Sequence, residues 1–115
     1  MSLTPNQIAQ GLIDLCRDLD ALVKEYKGLG AKASAAKRAA EVAYARAFME
    51  AVGPVEERRQ TALQNASEER FQSDLAEREV AGCKEALRAI HARIEVGRTL
   101  SATTRDELKT LGVTT

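Results

Sequence analysis

Apolar residues in the first half of the chain recur at alternating steps of four and three positions. This spacing places them on one side of a helix and is the period of a coiled coil. We call this set the first seam: Ile8, Leu12, Leu15, Leu19, Leu22, Tyr26 and Leu29. The same steps continue with small residues at Ala33, Ala36, Ala40, Ala43 and Ala47. The pattern predicts one long helix from about residue 5 to 51.

Local signals mark both ends of this helix. The segment Thr4-Pro5-Asn6-Gln7 has a capping hydroxyl, a proline at the first helical position and a glutamine that can return the bond. Gly53-Pro54 ends the helix, because glycine suits the left-handed residue after a helix and proline cannot continue one. Gly28 and Gly30 each cost about 1 kcal/mol relative to alanine inside a helix. They leave open whether the helix is continuous or is bent near Gly28.

The second half of the chain repeats the same period. Its second seam consists of Ala76, Val80, Cys83, Leu87, Ile90, Ile94 and Gly97. We predict a turn and short helix over about 53–64, a long helix over about 67–98, and a short last helix over about 102–111 carrying Leu108 and Leu111. The predicted fold is all-α: a long antiparallel helical hairpin, coiled-coil-like, forming a single domain over 1–115.

The two seams complement each other in size when the chain folds back on itself. We expect a register in which Ala36 faces Leu87 and the aromatic Tyr26 faces Gly97, because interdigitated packing places large residues against small ones. A slip by seven residues keeps the period but loses the match between Tyr26 and Gly97.

Composition limits the kind of core that the chain can build. Of the 115 residues, 3% are aromatic, none is tryptophan, and much of the hydrophobic fraction is alanine. Such a chain forms a narrow seam rather than a thick core. Seventeen basic residues balance seventeen acidic ones, so the net charge does not indicate a polyanionic partner.

Apolar residues outside the seams predict an interface. Cys16 and Val23 flank the first seam, and a second stripe of Tyr44, Phe48 and Val55 follows helical spacing. Contiguous exposed apolar surface usually marks a contact site. Tyr44, Phe48 and Val55 are therefore candidate residues for a homo-oligomer interface. The alternative is that the short helix folds back and covers them.

Residues that carry chemistry are sparse. The one histidine, His91, has no evident catalytic partners, and the acidic pairs Glu56-Glu57 and Glu68-Glu69 suit first turns of helices. Cys16 and Cys83 lack metal-ligand spacing, so we interpret both as reduced packing residues of a cytosolic protein. We expect no enzymatic activity, no metal and no cofactor. The sequence also lacks a recognisable signal peptide or membrane span.

One basic stripe is a candidate contact for nucleic acid. Lys84, Arg88, His91 and Arg98 follow one another at steps of 4, 3 and 7 and so share one helix face, interrupted by Glu95. An ordinary solvated face accounts for this pattern, and a surface that follows DNA phosphates is the alternative. The candidate DNA-binding residues are Lys84, Arg88 and Arg98.

Several segments resemble small helical proteins of bacteriophages. These are Tyr44-Ala45-Arg46-Ala47-Phe48, the turn Gly53-Pro54-Val55-Glu56-Glu57-Arg58, the helix Ala81-Gly82-Cys83-Lys84-Glu85-Ala86-Leu87-Arg88-Ala89-Ile90, and Arg93-Ile94-Glu95-Val96-Gly97-Arg98-Thr99-Leu100-Ser101. The resemblance covers roughly residues 20–108 and extends to UvsY-like recombination mediators. It implies an oligomeric accessory protein of the host-cell cytoplasm that helps load a recombinase onto single-stranded DNA coated by single-strand-binding protein. The alternative is a coiled-coil adaptor or assembly protein with no role in nucleic-acid binding.

Overall fold

Three helices make up the fold. A computed structural model describes residues 3–112, which contain α1 (Pro5–Glu50), α2 (Val55–Asn65) and α3 (Ser67–Thr110) and no strand. The prediction of an all-α helical hairpin is confirmed. α1 is continuous through both glycines near its middle. The predicted domain over 1–115 includes residues 1–2 and 113–115, which lie outside the described residues.

The helix ends have local causes. At the start of α1, the Thr4 backbone N–H donates to Oε1 of Gln7 at 2.9 Å and the Gln7 N–H donates to Oγ1 of Thr4 at 3.2 Å. This reciprocal pair satisfies donors that the first helical turn leaves free. After α1, Gly53 takes a φ of 117°, in the region that favours glycine. Ala66 alone separates α2 from α3.

The expected short last helix is not a separate element. α3 runs without a break to Thr110, so the predicted end near residue 98 is wrong. Threonines in this stretch bond within the helix: Oγ1 of Thr99 donates to the Glu95 carbonyl at 3.1 Å, and Oγ1 of Thr104 to the Leu100 carbonyl at 2.8 Å. Since their hydroxyls are satisfied in this way, these residues continue the helix rather than capping a new one.

The residues of both seams face inward, as their period predicts. Every residue of the first seam and of the second seam is buried or half-buried, while most positions between them are exposed. Leu111, predicted to lie on a short last helix, is exposed and follows the end of α3.

The chain divides into two compact units. Within the described residues, the first unit comprises 3–24 and 84–112, and the second comprises 25–83. In the first unit the start of α1 packs against the end of α3, where a Cβ added at Gly97 would lie 2.5 Å from Cδ2 of Leu12. In the second unit Nζ of Lys32 lies 3.2 Å from Oε2 of Glu79. The core of this unit is built mainly of small buried side chains: Ala40, Ala47, Ala62, Ala66, Ser73, Ala76 and Cys83.

The register differs from the expected one by two heptads. Leu12, and not Tyr26, faces Gly97 in the first unit. In the second unit the Lys32–Glu79 ion pair fits a register in which Ala36 is level with Ser73 and not with Leu87.

The reason for the error is the polar start of the second seam. Ser73 is buried and Glu69 half-buried, so the seam continues from Ala76 back through both of them. It reaches Ala66 and Ala62, which are fully buried. Because Ser73 and Glu69 are polar, the apolar pattern of the sequence begins at Ala76. The expected register therefore starts the second seam at Ala76, whereas the buried seam starts at Ala62.

Replacing Gly97 should reveal the contact with Leu12. Alanine at an exposed helical glycine stabilises by up to about 1 kcal/mol, and this is expected for Gly82→Ala, since no heavy atom of a described side chain lies within 4 Å of its added Cβ. At Gly97 the same change forces Leu12 to move, so Gly97→Ala should unfold at lower urea concentration than Gly82→Ala. A gap of about 1 kcal/mol or more is expected. Equal stabilisation by the two substitutions would contradict the packing.

Engineered cysteines test the register of the second unit. In a background lacking Cys16 and Cys83, the pair Ala36→Cys with Ser73→Cys should form a disulfide within one chain under mild oxidation, because level seam positions bring Cα atoms within the roughly 7 Å that a disulfide needs. The pair Ala36→Cys with Leu87→Cys is the matched control for the two-heptad shift. A disulfide in the control and none at 36 and 73 would restore the register expected from the sequence. Mobility on non-reducing gels distinguishes the two results.

Candidate functional site

The predicted basic residues lie exposed on α3 in the first unit. Arg88 Nη1 is 2.8 Å from Oε1 of Glu85, and Arg98 Nη1 is 3.1 Å from Oε1 of Glu95. Each arginine is thus paired with a carboxylate one turn earlier on its own helix. Lys84 is exposed and makes no ion pair with any described residue.

These ion pairs hold the two arginine side chains only weakly. Both partners of each pair are highly exposed, and exposed pairs of this kind contribute about 0–1 kcal/mol. An incoming phosphate can therefore take the place of either carboxylate at small cost. The carboxylates nevertheless lower the positive potential of the face, because their charge stays within a few ångströms of the guanidinium groups.

Because α3 is continuous, one more basic residue joins the exposed basic residues of this helix. Arg105 follows Arg98 by seven positions on the same helix, so the two side chains share one side. The separate last helix predicted over about 102–111 would contain Arg105, so the sequence does not align this residue with Arg98. We define the basic face as Lys84, Arg88, His91, Arg98 and Arg105, all of which are exposed.

Apolar residues of α1 lie beside the basic face. In the register set by Leu12 and Gly97, helical geometry places Ile13 and Val23 on the same flank of the first unit as the basic face. Both side chains are exposed. The sequence identifies Val23 as a residue that flanks the first seam, but it does not identify Ile13, whose position relative to the basic residues depends on the register. The flank therefore combines cations from one helix with aliphatic surface from the other.

The candidate interface residues meet the short helix in the second unit. The rings of Tyr44 and Phe48 stack with centroids 6.3 Å apart. The Arg58 guanidinium of α2 lies 4.5 Å from the Phe48 ring centroid, and its Nη2 donates to the Phe48 carbonyl at 3.2 Å. Both rings are half-buried, while Val55 is 57% exposed. The short helix thus covers part of this stripe, and self-association through it stays a prediction.

A shallow groove runs along the same part of the second unit. Its floor includes Ala40, Tyr44 and Leu63, and its walls alternate in charge: Lys37, Glu41, Arg70, Asp74 and Glu77. Since cations and carboxylates are interspersed, the groove has no strong preference for either sign of ligand.

The two cysteines occupy different environments. Cys83 is buried, as expected for a packing residue, whereas Cys16 is exposed, so its interpretation as a packing residue is wrong. Neither cysteine forms a disulfide with the other. Burial raises the pKa of the Cys83 thiol, and the nearby Glu25 carboxylate raises it further. Both effects disfavour the thiolate.

The described residues offer neither a metal site nor a membrane-spanning helix. No group of three or more histidine, cysteine or acidic residues within 3–112 is arranged to hold a metal ion. None of the helices over the same residues combines the length and apolar character that crossing a membrane requires. No family model, curated protein or solved structure matches the chain.

The thiols should differ in reactivity toward a disulfide reagent. At pH 8 Cys16 should react at least about tenfold faster than Cys83, because Cys83 is shielded and its raised pKa leaves less thiolate. Glu25→Gln should lower the Cys83 pKa and speed its reaction, while the Cys16 rate stays unchanged as the internal control. The raised pKa also means that the folded state holds this proton more tightly than the unfolded state does. Stability should therefore fall as the pH rises above about 9. Equal rates for both thiols would contradict the burial of Cys83.

Proposed function

We propose that this chain is a non-enzymatic accessory protein of phage recombination or replication that acts as an oligomer and contacts single-stranded DNA. Its role would be that of a recombination mediator, with a recombinase or single-strand-binding protein as further partners. The observation that carries the proposal is the basic face, on which one unbroken helix aligns Lys84, Arg88, Arg98 and Arg105 in solvent.

The spacing of these cations suits a flexible polyanion. At 1.5 Å per residue, Arg88 lies about 6 Å from Lys84 along the helix axis, Arg98 about 15 Å beyond it, and Arg105 about 10 Å further. A single strand can bend to bring phosphates to such positions, and each contact releases counterions from the DNA. Binding of this type is electrostatic and weakens steeply with salt.

The contact would be tolerant of sequence. Base stacking needs an aromatic ring beside the basic face, but the four aromatic residues of the chain all belong to the second unit: Tyr26, Tyr44, Phe48 and Phe71. The aliphatic side chains beside the basic face, Ile13 and Val23, offer apolar contact without hydrogen-bond readout of bases. Affinity per chain would be low, and several copies on one strand would raise it by avidity.

A coiled-coil adaptor with no role in nucleic-acid binding is the second candidate. The observation in its favour is the pairing of Arg88 with Glu85 and of Arg98 with Glu95, which neutralises part of the basic face. In this alternative the face is an ordinary solvated surface, and the protein acts only through helix–helix contacts.

Reversing charges on the basic face tests the DNA contact. Lys84→Glu with Arg88→Glu should weaken binding of a labelled single strand by tenfold or more at low salt, since two phosphate contacts are lost. The slope of log affinity against log salt should fall by about 1.4, at about 0.7 per contact on a single strand. Arg105→Glu alone should also weaken binding, because it lies on the same face.

The control carries the same change of charge elsewhere in the first unit. Arg17 and Lys24 are exposed, lie seven positions apart on α1 and are outside the basic face, so Arg17→Glu with Lys24→Glu should leave most of the binding intact. Equal losses in both double variants would indicate a response to net charge alone. If the wild-type oligomer fails to bind DNA at low salt, the adaptor becomes the better proposal.

A further inference from the structure

The second unit exposes a set of large apolar side chains that the DNA contact does not use. Val42 is 44% exposed, Met49 79% and Leu75 40%, and Phe71 lies one turn before Leu75. Val42 and Met49 are seven positions apart and so share one side of α1. Val42, Met49 and Arg46 also line one shallow groove on that helix.

The ion pair between the two long helices identifies the side of the unit on which these residues lie. Lys32 and Glu79 meet across one flank of the α1–α3 seam. Helical geometry places Val42 and Leu75 on this flank, next to the ion pair. Tyr44 belongs to the opposite flank, where it lines the groove with Leu63. We call the exposed set Val42, Arg46, Met49, Glu68 and Leu75 the Val42 face.

The thin core of the unit gives this face a physical reason to be covered. Buried positions of the second unit are alanines, one serine and one cysteine, and no large side chain among the described residues is fully buried. Burying Val42, Met49 and Leu75 would add the large apolar contacts that the seam lacks.

The charges on the Val42 face match a second copy of the same face. Arg46 on α1 makes no ion pair with a described residue, and the Glu68 carboxylate on α3 accepts only from Nε2 of Gln72 among them, at 3.1 Å. A two-fold axis parallel to the helices lays α1 of one copy over α3 of the other. The same rotation places Arg46 of each copy on the same side of the interface as Glu68 of the other copy. It also makes α1 of each copy antiparallel to α3 of the other.

We propose that the Val42 face binds the Val42 face of a second copy, and that the two second units form an antiparallel four-helix bundle. This proposal rests on the proposed function, which requires an oligomer, and it names the surface through which the copies associate. It assigns that association to a surface other than Tyr44, Phe48 and Val55. Helix pairs with an apolar stripe beside the seam form four-helix bundles in this way.

Sedimentation equilibrium of the full chain at tens of micromolar tests the proposal. The wild type should have at least twice the chain mass, and Val42→Glu with Leu75→Glu should reduce it to one chain, because four carboxylates would be buried in the interface. The control is Ile13→Glu with Val55→Glu, which changes two comparably exposed apolar residues outside the face and should retain the wild-type mass.

A charge exchange keeps the test valid even if the glutamate variant loses helicity. Arg46→Glu and Glu68→Arg should each weaken association about fivefold or more, since the symmetry places two like-charged pairs in the interface. Combining the two substitutions should restore it, because every pair regains opposite signs. Circular dichroism should show unchanged helicity in all three variants.

Three results would overturn the proposal: a wild type that stays monomeric, a Val42→Glu, Leu75→Glu variant with wild-type mass and helicity, or charge variants that all associate alike. Dissociation by the control pair would also contradict the proposal, because neither Ile13 nor Val55 belongs to the Val42 face. The test of dimerisation and the test of DNA binding give independent results. Loss of DNA binding in the Lys84→Glu, Arg88→Glu variant leaves the mass unchanged, whereas failure of the wild type to bind DNA leaves the dimer test intact.

Discussion

Close packing of small side chains along the α1–α3 seam is the constraint on which the rest of the second unit depends. Alanines at positions such as Ala40, Ala47 and Ala76 let two helices approach closely, but each buries little apolar area. Larger apolar residues must then lie beside the seam, on one flank or the other. Tyr44 and Phe48 take one flank, where α2 lies against them, and Val42 and Leu75 take the other, where both remain exposed.

The sequence was sufficient to predict the helices and which residues face inward, but not which residues face each other. A period of four and three positions identifies a seam without fixing its alignment, because a shift by seven residues preserves the pattern. The missing information was the polar start of the second seam at Glu69 and Ser73, which an apolar pattern cannot reveal. The end of α3 was predicted near residue 98, but the helix continues to Thr110, and the Thr99 and Thr104 hydroxyls bond to carbonyls one turn earlier.

The candidate site was predictable to the same degree. Lys84, Arg88 and Arg98 could be placed on one face from spacing alone, because they lie on one helix. Their neighbours on the other helix required the correct register, and Arg105 required a continuous α3. Whether the short helix covers Phe48 also lay beyond the sequence, because the contact depends on Arg58 reaching both the ring and the carbonyl of Phe48.

The contact between Leu12 and Gly97 bears on how the chain folds. In a repetitive seam, hairpins displaced by whole heptads bury similar residues and compete as near-degenerate states, which makes the energy landscape rough. A glycine that receives a leucine breaks this degeneracy, because the leucine fits against a missing side chain at one alignment only. Heptad-shifted hairpins would set Leu12 against Ile90 or Thr104 and lose that fit. The space at Gly97 therefore favours one register of the two helices during folding. Glycine also lowers the local stability of the helix.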